Sequence, residues 1–280
     1  MNASRSNDRP EFAQRIIHWR NLRKLSQMEL ALTAGISQKH LSYLELGRSR
    51  PSQEMVLLLA KVLGLPLRES NDLLAAAGYA PVFLSRSLNA PEMRPVFDAI
   101  ELMLRHQEPN PTIVVDRDWN IVLSNQVMYR MFITLVGDKN IWERIGDTGS
   151  HNLWRLLFHP QGLQPTITNW SEVAPILLAR IRREQNGARN EMRILLQEIL
   201  QYPSISSLSM EPSLDKPMLP VVALNFARND FKVKVFSISS TFGTPQDITT
   251  DELRIESFFP VDDTSAEQLR KLAESGKADN

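Results

Sequence analysis

The sequence predicts two domains, an all-α bundle of five helices followed by an α+β domain with an antiparallel sheet and helices. Three observations predict this. The chain has 280 residues, more than one domain usually holds. Residues 11–78 repeat apolar side chains at helical spacing between serine, proline and glycine stops. Beyond residue 110 the pattern twice becomes strand-like on either side of a short polar turn. The expected boundaries are a flexible N-terminus at 1–10, a first domain at 11–80, a linker at 81–92, a second domain at 93–262 and a flexible or helical tail at 263–280.

In order along the chain, "EFAQRIIHWRNLRKL" is a helix with Phe12, Ile16, Trp19 and Leu22 at helical spacing. Ser26 caps "QMELALTA", which turns Leu30 and Ala31 inward. Gly35 takes a positive φ at little cost and redirects the chain. Ser37 caps the next helix, which runs through Leu46 and has Leu41 and Leu44 on one face. Its other face carries Gln38, Lys39, Ser42 and Tyr43, polar groups that reach phosphates or base edges. Two short helices joined at one glycine make a helix-turn-helix, whose second helix fits the B-DNA major groove. "PSQEMVLLLAKVLG" and "PLRESNDLLAAAG" complete the five-helix bundle.

Pro81, Pro91 and Pro95 mark the linker, and "VFDAIELMLRHQ" resumes a helix. "PTIVVDRDWNIVLSNQ" reads as a hairpin around Asp116-Arg117-Asp118, followed by the helix "QVMYRMFITLVG". The middle is mostly helical with a break at Gly187. Arg180, Arg182, Arg183, Arg189 and Arg193 lie there among glutamates, as a solvated helix face with internal ion pairs. "PVVALNFARNDFKVKVFSISSTFG" forms two strands around Arg228-Asn229-Asp230. There Phe231, Val233 and Val235 alternate with Lys232 and Lys234, as a one-sided sheet requires. "ELRIESFFP" is a further strand. Five antiparallel strands with helices on one face make a sensor architecture of the PAS type.

Bulk properties narrow the function. No apolar run reaches the roughly 18 residues of a membrane span, and the N-terminus lacks the apolar segment of a secretory signal. There is no cysteine, hence no disulfide and no thiolate site. A cytoplasmic protein without a membrane partner is expected. The first 80 residues are net basic and the rest net acidic, so a polyanion meets the front. His151 and His159 are not at the spacing of a helical metal pair. Gly146 and Gly149 form neither a nucleotide-binding loop nor a nucleophile elbow. No enzyme, catalytic residue, metal site or catalytic cofactor is expected.

Two stretches carry family resemblances. "LRKLSQMELALTAGISQKHLSYLELGRSRPS" resembles the Xre and lambda-repressor DNA-binding domains. The resemblance implies a double-stranded DNA operator met by Gln27, Ser37, Gln38, Lys39, Ser42, Tyr43, Arg48 and Arg50. Gln27, Arg48 and Arg50 are expected on phosphate and Gln38, Lys39 and Tyr43 on bases, with Arg20 and Glu45 as a structural ion pair. "TIVVDRDWNIVLSNQ" and "LNFARNDFKVKVFSISSTFGTPQDITTDELRIESFFPVD" are similar to the C-terminal ligand-binding domain of MmyB-like transcription regulators, across nearly all of residues 91–262. That resemblance implies a PAS-like module that binds a small effector and regulates DNA binding.

The apolar and aromatic residues available to line such a site are Trp119, Met128, Met131, Phe132, Trp154, Phe158, Phe226 and Phe236, with Arg155 and Arg228 as partners for a carboxylate. A lipophilic, fatty-acid-like effector and a homodimer are expected. Two other functions remain open: a constitutive DNA-binding regulator whose rear domain only dimerises, and an enzyme with an autoregulatory DNA-binding domain.

Overall fold

The structure is a computed structural model that describes residues 9–184, 190–206 and 221–275. The break expected at Gly187, the arginine at 189 and the last residues of the tail lie outside them. The chain divides into two compact units. One comprises the chain up to Ala90 together with Gly243–Asp251, and the other comprises Pro91–Phe242 together with the chain from Glu252 onward. The first unit therefore takes in most of the expected linker, up to Ala90, together with a distant segment.

Five helices make the body of the first unit: α1 (Glu11–Leu22), α2 (Gln27–Thr33), α3 (Gln38–Glu45), α4 (Gln53–Val62) and α5 (Leu67–Ala76). Serine caps start three of them, with Ser26, Ser37 and Ser52 accepting the N–H groups of Glu29, His40 and Met55. The α2 start is a full capping box, since the Ser26 N–H donates back to Glu29 at 2.7 Å. Helix α5 starts after Pro66 with no cap from its own N-cap side chain. The core consists of Phe12, Ile16, Leu30, Leu41, Leu44, Val56, Leu59, Leu73 and Leu74 with smaller neighbours. Phe12 and Ile16 point into it as their spacing predicts, Trp19 is half-buried, and Leu22 at the helix end is exposed.

The second unit runs α6 (Arg94–Gln107), β1 (Thr112–Val115), β2 (Ile121–Ser124), α7 (Gln126–Val136), α8 (Ile141–Arg144), α9 (Leu153–Phe158), α10 (Trp170–Glu184), α11 (Asn190–Leu200), α12 (Pro203–Ser206), β3 (Leu224–Arg228) and β4 (Phe231–Ser240). After a short helix α13 (Ile248–Glu252), which belongs to the first unit up to Asp251, the second unit ends with β5 (Arg254–Pro260) and α14 (Asp263–Glu274). All five strands form one antiparallel sheet in the order β2-β1-β5-β4-β3, the PAS-type α+β architecture that the sequence predicts. Its main core gathers Ile113, Val115, Phe226, Val233, Val235 and Phe258 from the sheet with apolar side chains of α7, α9, α10 and α11.

Cover is not confined to one face. Strand β1 reads "TIVV" and all four residues are buried, the pattern of a strand covered on both sides. Val114 pairs with Ile255 on the face away from the main core, and both are buried. Helix α6 contacts β1 and carries the buried Ile100 and Leu104. No described helix is long and apolar enough to cross a membrane.

Candidate nucleic-acid interface and effector cavity

In the first unit the link between α2 and α3 is closed by backbone alone. The Ile36 N–H donates to the Ala31 carbonyl at 2.9 Å and the Gly35 N–H to Leu32 at 3.1 Å, with Gly35 at φ 66°. This is a Schellman ending, which needs a residue at ease in the left-handed region. Ser37 then starts α3 with its hydroxyl engaged by the His40 N–H. Helix α3 ends the same way: the Arg48 N–H donates to the Tyr43 carbonyl at 2.9 Å, and Gly47 lies at φ 70°. A Cβ at Gly47 would come within 2.4 Å of the Pro10 ring, so both close approach and backbone conformation require glycine there.

With Leu41 and Leu44 fully buried, the opposite face of α3 turns outward. Gln38, Lys39 and Tyr43 are exposed, Ser42 is half-buried, and Arg48 and Arg50 follow as exposed cations. The Lys39 ammonium lies 5.8 Å from the centre of the Tyr43 ring, and the Arg50 guanidinium lies at the same distance from Tyr79. Behind this surface Arg20 clamps Glu45 in a fork, Nε to Oε1 at 2.6 Å and Nη2 to Oε2 at 3.0 Å. Glu45 is 3% exposed. The Gln27 side-chain amide donates to the same carboxylate at 2.6 Å. Gln27 thus joins the start of α2 to the end of α3, a contact the sequence pattern does not announce. The outward face of α3 combines the neutral polar groups of Gln38, Ser42 and Tyr43 with the Lys39 ammonium and is followed by the cations Arg48 and Arg50, a surface suited to a groove of base edges between phosphates.

In the second unit the β1–β2 turn places Trp119 at φ 66°, a costly setting for a bulky side chain. It is held from both sides. The Trp119 N–H donates to the Asp116 carbonyl at 3.1 Å, and its own carbonyl accepts from the Leu153 N–H at 2.9 Å. The Asp116 carboxylate fixes the rest of the turn, accepting the N–H groups of Asp118 and Asn120 at 2.9 Å each. The Trp119 ring is buried against Trp154, centroids 4.6 Å apart, and Phe158 continues the row. Met128, Met131, Phe132 and Phe226 share this cluster with the three of them. Phe236 does not. Val233 and Val235 point into the core, so Phe236 falls on the other face, where it meets Phe259 at 5.9 Å.

One edge of the cluster is charged. The Arg180 guanidinium lies 4.6 Å from the Trp119 ring centre and donates to Glu256 Oε1 at 2.6 Å and Glu184 Oε1 at 3.2 Å. Arg254 and the Trp119 indole N–H both donate to Glu184 Oε2, at 3.0 and 2.6 Å. Glu256 is 1% exposed. Burial opposes the charge on Arg180, but its attraction to Glu256 and Glu184 outweighs this and raises its pKa. The charge pattern of α10 predicts Arg180 on a solvated face; it instead reaches into the sheet. The available signal was Glu256, a lone carboxylate among the apolar residues of "RIESFFP".

A cavity of about 420 Å³ opens beside this cluster, lined by Asp116, Asp118, Asn120, Asn152, Arg155, Met192 and Leu195 among others. Its apolar wall, Met192 and Leu195, belongs to the main core. Arg155 borders it but is already paired, Nη2 to Glu198 Oε2 at 2.8 Å and Nη1 to Asp147 Oδ1 at 3.7 Å. Burial works against ionised Asp147, yet the N–H groups of Asn152 and Ser150 and the Ser150 hydroxyl hold its carboxyl below the usual range. Glu198 is likewise opposed by burial and lowered by Arg155 and by the Tyr202 hydroxyl, which donates to it. The Tyr202 pKa rises through burial and that same hydrogen bond. Arg228 lies apart from the cavity and donates to the Leu135 carbonyl at 2.8 Å, near the end of α7.

The model of the family described as MmyB-like transcription regulator ligand binding domain matches residues 96–272. The model described as Helix-turn-helix matches residues 16–70. No curated protein matches the chain.

Proposed function

The chain belongs to the MmyB-like transcription regulators, and on that premise we propose that its ligand-binding domain takes a small lipophilic, fatty-acid-like effector that alters operator binding by α3. A DNA-binding transcription regulator with a ligand-binding domain is the coarser reading that the two family matches support together. The finer one is carried by the cavity beside β1 and α11. Its polar lining holds Asn120, Ser150, Asn152 and Arg155 together with the carboxylates Asp116, Asp118 and Glu191, and Met192, Ile194 and Leu195 supply apolar surface, so a molecule with a polar head and an apolar tail finds both kinds of contact there. Buried next to Trp119, the Trp154 indole N–H has no hydrogen-bond partner among the described residues; it lies behind the cavity lining, not in it. A carboxylate head at Arg155 has to compete with Glu198. Met192 in the cavity wall supplies a side chain that adapts to a flexible tail. The regulator acts in the cytoplasm as a homodimer whose two α3 helices read half-sites about one helical turn apart.

The experiment is native mass spectrometry of the full chain before and after organic extraction, followed by operator titration with a tetradecanoyl acid, alcohol and amine. The acid is expected to raise the melting temperature and to shift operator affinity about tenfold, which requires about 1.4 kcal/mol of difference between its affinities for the two states. By linkage, operator DNA shifts the acid's affinity by the same factor. Tight binding that leaves operator affinity unchanged makes the domain a carrier or a dimerisation unit. Binding of the amine in preference to the acid overturns the carboxylate assignment.

Phosphate contact is separable from base reading. Arg48→Ala is expected to weaken binding to all DNA sequences alike and to reduce the slope of log affinity against log salt by about 0.9. A slope equal to that of the wild type would remove Arg48 from the phosphate contacts.

A further inference from the structure

The segment Gly243–Asp251 lies in the connection between β4 and β5, yet it is part of the helix-turn-helix unit. It is built in by named contacts rather than resting on the surface. Asp247 is 6% exposed, and Ile248 and Thr250 are buried too. Asp247 bridges in parallel to Leu84, the Ile248 N–H donates to the Leu84 carbonyl at 2.8 Å, and the Thr249 hydroxyl donates to the Arg86 carbonyl at 2.6 Å. The Asp247 carboxylate accepts from the Arg86 guanidinium at 2.9 Å and from its N–H at 3.3 Å. Asn71 on α5 then clasps the preceding residues, accepting the N–H groups of Val82 and Phe83 and donating to the Phe83 carbonyl. Finally the Leu67 N–H, at the first position of α5, donates to Asp251 Oδ2 at 2.9 Å.

A helix of the DNA-binding unit is therefore capped by a residue 184 positions further along the chain. Residues 247–251 are followed almost at once by β5, since Glu252 and Leu253 are all that separate Asp251 from Arg254. There is no slack on that side. A change in the register or twist of β5 must pull on Asp251 or be absorbed within two residues. Helix α5 packs on α1, and α1 packs on α3.

We infer that Gly243–Asp251 is a strap that transmits the state of β4 and β5 to the helix-turn-helix unit, with Asp247 and Asp251 as its anchoring residues. The inference rests on the reading that the ligand-binding domain regulates DNA binding, and it names the element that does so. No effector identity enters it.

The test uses the full chain and an operator duplex selected from random DNA, read by amide hydrogen exchange. Asp251→Ala is expected to lower the protection of the Leu67 amide about fivefold, the effect of losing one capping carboxylate, while Asp251→Asn, which keeps an acceptor oxygen, retains most of it. Operator DNA is expected to change exchange in β4 and β5 of the wild type, and to leave it unchanged in the Asp247→Ala, Asp251→Ala double variant. Should the double variant not fold, the DNA-induced change in β4 and β5 is read in Asp251→Ala, where it is expected to shrink, and in Asp251→Asn, where it is expected to persist. Leu67 protection that ignores both Asp251 substitutions overturns the inference. So does a wild type whose β4 and β5 ignore operator DNA, or a DNA-induced change that survives intact without the two anchors. Because no effector is added, failure of the fatty-acid assignment leaves these outcomes readable.

Discussion

Arg180→Met is expected to destabilise the ligand-binding unit by about 3–5 kcal/mol, the cost of leaving a buried charge without its partner. Glu256 is 1% exposed and receives the Arg180 guanidinium at 2.6 Å. Methionine keeps much of the volume against Trp119 but supplies no donor. Glu256 is then left in an apolar strand without its guanidinium partner. In a unit of this size a loss of that order lowers the melting temperature by roughly 10 °C. Denaturant unfolding followed by tryptophan fluorescence reports it directly, since Trp119 and Trp154 lie beside the guanidinium. Adding Glu256→Gln to the same chain is expected to recover most of the loss, because the charge is then removed along with its partner. A single variant within about 1 kcal/mol of wild type would show that the pair is hydrated in solution.

Base reading gives the second large effect. Gln38→Ala and Tyr43→Ala are each expected to cost about 1–3 kcal/mol in operator affinity and to relax the preferred sequence at one position. Both side chains are exposed on α3, so their loss leaves the core of Leu41 and Leu44 intact. Thermal stability should stay near that of the wild type while the selected sequence changes. Selection from random DNA checks this. One and the same selected sequence for wild type and both variants would remove these residues from the bases.

The parts of the fold legible in the sequence are those whose determinants are local. Ser26, Ser37 and Ser52 announce three helix starts within a residue, and Gly35 announces the turn between α2 and α3. The alternation from Phe231 to Val235 gives β4 and its inward face. The same period of two places Phe236 outward, so its separation from Trp119 and Phe226 was readable from the strand pattern itself. Long-range partners were not readable. Arg180 meets Glu256 across 76 positions and Asp247 meets Arg86 across 161, and no periodicity encodes either distance. The stretch around Pro81 and Pro91 has the composition of a linker. Asn71 and Asp247 nevertheless fasten its residues 82–86 to the first unit by hydrogen bonds that composition does not reveal. The placement of α6 on the second face of the sheet escaped for a related reason, because "TIVV" is too short to separate one-sided from two-sided burial by pattern alone.

The discontinuous first unit also sets a schedule for the newborn chain. A ribosome adds about 5–20 residues per second, so the five helices emerge roughly 10–30 seconds before Asp247 and Asp251 are made. Through that interval α5 lacks its carboxylate cap and Arg86 its counter-ion. Completion of the front of the protein thus waits for most of the rear to be synthesised. A nascent chain acquires its finished DNA-reading half only once most of its regulator is already in hand. The same order denies a transplanted front half its last two fastenings, whatever partner it is joined to.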